Sequence, residues 1–175
     1  MNVLADELIP KAEKIEFNSA SDALMALDNG RIDAFPTDES LYYAMRWEGK
    51  NYSIVEESMA TSTYGMIFGK GANQDLRAEL NAFLSDNKET VAVLEAKWFS
   101  EKEPTEFMSY DDLTGENGTL RIGVCSSVKP FVYMKDGKLT GYDIEILISF
   151  AREYGYKLDF EDTLFASVLT GVSMG

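Results

Sequence analysis

Apolar residues recur at helical spacing along most of the first hundred positions. Val3 to Ile9 carries such a stripe and stops at Pro10, which cannot continue a helix interior. Ala23, Leu24 and Leu27 share one face behind an N-cap at Ser19 or Ser21, and Asn29-Gly30 supplies the C-terminal stop. Leu41, Ala44 and Met45 mark a third helix. Leu76, Leu80, Phe83 and Leu84 mark a fourth, capped by Asn73, and Val91, Leu94 and Trp98 a fifth after the break at Ser85-Asp86-Asn87. Between them, Ile15–Phe17, Arg31–Phe35, Tyr52–Val55 and Tyr64–Phe68 read as short strands, the last closed by Gly69-Lys70-Gly71. The first third therefore predicts a β-α-β unit, hence a parallel sheet with a right-handed crossover.

The pattern lapses from about Ser100 to Gly118, where Pro104, Gly115, Gly118 and several acids replace periodicity; this is the predicted linker. Beyond it Thr119–Val124 reads as a buried strand, and Phe131–Met134 pairs with Lys138–Thr140 across an Asp136-Gly137 turn. Ile144, Leu147, Ile148 and Ala151 form a helical stripe ended by Gly155. Tyr156, Leu158 and Phe160 alternate as a strand, and a short helix begins near Phe165.

Composition narrows the chemistry. At 175 residues the chain is long enough for one good core or two small ones. A formal net charge of −14 disfavours nucleic acid and anionic lipid as partners. With no histidine, Ser-His and Cys-His nucleophile pairs and His-rich metal sites are excluded, and the single Cys125 cannot form an internal disulfide. The start at Met1 lacks a basic stretch followed by an apolar one, so no signal peptide is expected there, and no run approaches the length of a membrane span. Glu56-Glu57 and Asp111-Asp112 are adjacent pairs whose side chains diverge in extended backbone, so a solvated surface is their expected role.

The segment Thr119-Leu-Arg-Ile-Gly-Val124, then Lys129-Pro-Phe-Val-Tyr133, Asp136-Gly137, Leu139-Thr-Gly-Tyr-Asp143 and a helix resembles the opening of the family 3 extracellular solute-binding proteins, the amino-acid receptors of ABC importers. The earlier part resembles the closing half of the same kind of receptor. Its marks are Ala23-Leu-Met-Ala-Leu-Asp-Asn-Gly-Arg-Ile-Asp-Ala34, Asp38, Tyr64-Gly-Met-Ile-Phe-Gly-Lys70 and Lys97-Trp98-Phe99. The order is reversed relative to a single receptor. The resemblance thus implies residues 1–99 as a closing half, 100–118 as a linker and 119–175 as the opening half of a first lobe. The implied fold is α/β, with periplasmic-binding-protein type II-like lobes and mixed, mainly parallel sheets, incomplete or rearranged.

The resemblance also implies a ligand site. Asp38 would receive a ligand ammonium through charge-assisted hydrogen bonds, although on spacing alone Thr37-Asp38 reads first as a helix cap. Phe165 would cover the ligand side chain; by itself it also reads as core at a helix start. Cys125, Ser126, Ser127 and Val128 follow the first strand, where such receptors meet their ligand, but Cys125 stands where an acid is common and Val128 where an aromatic is common. Asp143 reads as a helix cap, Phe131 as core, and Trp98 and Phe99 as the apolar anchor of the last closing helix.

The implied function is capture of an amino-acid-type solute between two lobes by hinge closure, outside the cytoplasm, with a membrane permease as partner and no cofactor, metal, catalytic residue or nucleic acid. Three alternatives stand beside it: an enzyme on the same fold, dehydratase-like or lytic transglycosylase-like; the sensing region of a signalling receptor; and a homodimer that completes its sheets with a second copy.

Overall fold

The computed structural model describes residues 9–55 and 58–174. The helix expected at Val3–Ile9 lies outside them except for Ile9, and so does the Glu56-Glu57 pair. In the first part of the chain four helices form where the apolar stripes predict them: α1 (Ala20–Asp28), α2 (Glu39–Trp47), α3 (Gln74–Asp86) and α4 (Lys88–Trp98). Ser19 caps α1, its hydroxyl oxygen accepting the Asp22 N–H at 3.1 Å. Asn73 and Asp38 occupy the N-cap positions of α3 and α2, but neither side chain makes a capping hydrogen bond. Asn87 alone separates α3 from α4.

The strands expected at Ile15–Phe17, Arg31–Phe35, Tyr52–Val55 and Tyr64–Phe68 do not form, and with them the β-α-β unit of the first third is lost. A strand needs a ladder partner to satisfy its backbone, and apolar composition alone does not supply one. None of the four segments has such a partner among the described residues, and several of their side chains stay in solvent, Val55 at 79% exposure and Ile67 at 63%.

All described strands lie after residue 118. β1 (Thr119–Val124) pairs in parallel with β5 (Lys157–Asp162), from Thr119 opposite Lys157 to Val124 opposite Asp162. β2 (Ser127–Val128), β3 (Val132–Lys135) and β4 (Lys138–Thr140) make a separate antiparallel sheet in that order. Asp136 and Gly137 join β3 to β4 with φ of 50° and 78°, the paired positive values of a tight hairpin turn. The architecture is α/β with a parallel pair and mixed sheets overall. The expectation of mainly parallel strands fails here, because three of the five described strands are antiparallel.

Helix α5 (Tyr142–Tyr154) crosses the centre, and α6 (Phe165–Met174) follows β5. Its N-cap is Gly141, not Asp143: Tyr142 and Asp143 donate their N–H groups to the carbonyls of Pro130 and Phe131 at 3.0 and 3.1 Å. Asp143 sits instead in the first turn. Ile144, Leu147, Ile148 and Ala151 pack, as their stripe predicts, on Val124, Phe131, Val132, Leu139 and Leu158. The other side of α5, Ile146 and Phe150, packs with Tyr133 against Leu80, Phe83, Leu94 and Trp98 of α3 and α4. Helices α3 and α4 therefore share a core cluster with α5 and β3. Between them, residues 100–118 form neither helix nor strand, yet they are no free tether, since Leu113 is buried and Met108 and Tyr110 pack against the core.

Candidate functional site

Four of the predicted site residues meet where the parallel pair ends. The carboxyl end of such strands leaves backbone groups and loop side chains facing outward, the usual place for ligand contact in α/β folds. Here Val124 is the last residue of β1 and Asp162 the last of β5. Ser126 donates to the Asp162 carboxylate twice, through its N–H at 2.9 Å and its hydroxyl at 2.6 Å, which holds the loop after β1 against the end of β5. Ser127 Oγ lies 3.1 Å from Cys125 Sγ. Hydrogen bonding to Ser127, then to the Phe165 backbone, holds the Cys125 thiol below its ordinary value. Phe165 opens α6 beside it and is 64% exposed, so it is not the core residue its isolated spacing allowed.

Ser126 and Ser127 also line a recess of about 500 Å³ that runs between the two parts of the chain. One wall is built by α1 and α2 through Leu24, Leu41, Ala44, Met45 and Glu48. The other is the loop after β1 and the β2–β3 hairpin, through the two serines, Lys129, Tyr133 and Met134. The Lys129 ammonium spans the walls, 3.6 Å from Glu48 Oε1 and 5.1 Å from the Tyr133 ring centre. Burial, then the Glu103 carboxylate that accepts its hydroxyl, raises the Tyr133 phenol far above its ordinary value, so Tyr133 stays neutral.

Asp38 and Val128 are not among the residues that line this recess. Asp38 is exposed at the start of α2, where burial and then its negative charge raise the Tyr64 phenol. The Tyr64 ring in turn rests 4.9 Å from that of Phe131, which is buried as expected. Val128 is 42% exposed in β2 and does not line the recess. Asp111 and Asp112 are surface ion-pair partners of Lys138 and Arg152, in keeping with a solvated surface.

The sequence reading missed four charged residues that shape this region: Glu48, Lys129, Asp162 and Glu145. Glu145 had a visible signal, a lone acid between Ile144 and Ile146 in an apolar helix. It is fully buried and fully partnered, by Lys97, Trp98 Nε1 and the Met108 N–H. Burial pushes the Asp143 carboxyl up to about 6, but Asp143 does not line the recess. Among the described residues no group of three or more Cys, Asp or Glu side chains is placed to hold a metal, and no helix is long and apolar enough to cross a membrane.

Comparison with known proteins finds a similarity over the last third of the chain. Residues 120–175 match the bacterial extracellular solute-binding proteins, family 3. The ABC transporter glutamine-binding protein GlnH of Bacillus subtilis is 34% identical over 102 residues, 57% of this chain and 37% of that protein. The L-cystine-binding protein TcyA of the same organism is 38% identical over 60 residues, 33% of this chain and 22% of its own. A probable amino-acid ABC transporter-binding protein of Haemophilus influenzae is 32% identical over 63 residues, 35% of this chain and 24% of its own. The chain thus spans little more than a third of the glutamine-binding relative's length. No solved structure matches it significantly. The part of the chain similar to the family 3 bacterial extracellular solute-binding proteins, residues 120–175, is the part that holds β1 from Leu120 on, the serine loop and α5.

Proposed function

We propose that this chain is a binding module for a small amino-acid-type solute, part of the receptor of an ABC importer, and not an enzyme. The observation that carries the reading is the coincidence of two facts. The family match falls on the half that supplies the serine loop, and that loop faces α1 and α2 across the recess. Such a recess, apolar on one side with a few polar groups on the other, is the usual form of a small-molecule site. Relatives named for glutamine and cystine binding make an amino acid the solute class. Capture would proceed by closure of the two walls on the ligand, with the closed form recognised by a membrane permease outside the cytoplasm.

In this reading residues 1–99 are the closing half of one receptor unit, 100–118 the connection, and 119–175 the opening half of the next. Asp38, Phe165, Cys125, Ser126, Ser127 and Val128 are the candidate ligand contacts, with Ser126 and Ser127 supported by their place on the recess. A second copy of the chain could extend the two-stranded β1–β5 sheet, whose outer edges carry no further strand among the described residues.

Thermal melting with a panel of amino acids tests the function. A ligand at a hundred times its Kd adds about 2.7 kcal/mol to stability, a shift of several degrees for a protein of this size. At least one amino acid should raise the melting temperature while glucose and citrate do not. A folded sample indifferent to every amino acid would contradict the reading.

A further inference from the structure

The recess carries more information than the presence of hydroxyls. Among the described residues, its lining charges are one acid and one base, Glu48 and Lys129, facing each other from opposite walls. At 3.6 Å they form an ion pair without a hydrogen bond, so each retains its hydrogen-bonding capacity. Both side chains are partly in water, Lys129 at 35% and Glu48 at 59% exposure, so parting them costs little. Glu48 is also the C-cap residue of α2, where the last carbonyls of the helix already favour a cation. Lys129 offers three donors, and the Ser127 hydroxyl beside it can donate when the Cys125 thiol donates to it.

We infer that the recess binds the zwitterionic head of an α-amino acid with an apolar side chain, leucine or methionine in size. The ammonium goes to Glu48, the carboxylate to Lys129 and Ser127. The inference rests on the amino-acid reading of the chain and gives that reading its anchors and substrate class. A ligand with an ammonium and a carboxylate on one carbon replaces the existing ion pair by two charge-assisted contacts and leaves neither charge unmatched. A simple carboxylate would face Glu48, and a simple amine would face Lys129, each a like-charge contact. The apolar class follows from the α1–α2 wall, where, Glu48 apart, the lining side chains are the hydrocarbon and thioether groups of Leu24, Leu41, Ala44 and Met45. Asp38 does not line the recess, so the ammonium falls to the acid at the other end of the same helix.

Calorimetric titration of the whole chain with L-leucine, L-methionine and L-glutamine tests this, with 4-methylpentanoate and isoamylamine as ligands lacking one charge each. Leucine or methionine should bind saturably, more tightly than glutamine, and both single-charge analogues should bind at least about tenfold more weakly. Glu48→Gln and Lys129→Met should each weaken binding roughly ten- to a hundredfold with unchanged circular dichroism. Binding that is lost in Asp38→Ala yet intact in both recess variants would overturn this inference while leaving the amino-acid reading in place. So would a preference for glutamine over leucine. If no amino acid binds the folded protein, both fail.

Discussion

Lys97 and Glu145 are hydrogen-bonded through both carboxylate oxygens at 2.7 Å, and the acid is wholly buried. The pair joins α4 to α5. Trp98 Nε1 donates to the same carboxylate at 2.9 Å, and the Met108 N–H does so from the 100–118 segment, also at 2.9 Å. One carboxylate thus ties together three parts of the chain that sequence alone assigns to different units. Removing it strands the indole and backbone donors and leaves the Lys97 ammonium without its partner. Glu145→Ala should lower the unfolding free energy by about 3–5 kcal/mol. Lys97→Met should also destabilise, and the Glu145→Ala/Lys97→Met double variant by less than the sum of the singles. Denaturant unfolding curves check this; additive losses would mean that the pair does not act as a unit.

Asp143 should make stability depend on pH in the opposite sense to a salt-bridged acid. Burial raises its folded-state pKa to about 6, above its value in an unfolded chain, near 4. The stabilisation that goes with holding the proton is therefore full below about pH 4 and is lost as pH rises through about 6. Asp143→Asn removes the titration. It should stabilise the protein at pH 7 by on the order of 1–3 kcal/mol and change little at pH 4. Unfolding curves of the two proteins across that window read the difference directly, and a constant offset would contradict it.

Gly141 and Gly137, on either side of β4, should respond very differently to alanine. Gly141 has φ 132° and ψ 175°, and a Cβ there would overlap the Phe131 carbonyl that anchors the start of α5. Gly137, at φ 78° in the hairpin turn, has open space around it. Gly141→Ala should cost more than about 3 kcal/mol, and Gly137→Ala about 1 kcal/mol. Melting temperatures would rank them, and equal losses would contradict the packing described for Gly141.

Cys125 offers a chemical probe of the candidate site. Its thiol is partly exposed, hydrogen-bonded to a serine that lines the recess, and more acidic than an ordinary cysteine. A disulfide reagent should label it in the folded protein, and a bound amino acid should slow that labelling. Labelling unchanged at a saturating ligand concentration would place the ligand elsewhere.

Legibility followed the source of each element's stability. Helices were readable across the described residues, because their backbone partners are local: the stripes at Leu80 and Phe83 and at Ile144 and Leu147 predicted both the helix and its buried face. Strands were readable only where a partner existed. Thr119–Val124 found Lys157–Asp162, while Arg31–Phe35, with similar apolar content, found none. The second buried face of α5 was hidden because Ile146 and Phe150 fall outside a single stripe. Of the site, the serine loop was legible by its place after β1. Glu48 and Lys129 were not, since nothing in sequence brings the end of α2 opposite the residue before Pro130.

The central claim is that a small solute is captured between the two walls, and amide chemical-shift mapping tests it most directly. On titration with the amino acid that binds best, the amides of Leu41–Glu48 and those of Ser126–Lys129 should shift together, with one shared saturation curve. Shifts confined to one wall, or no shifts from a folded protein at millimolar amino acid, about the weakest affinity worth calling a receptor's, would contradict the account.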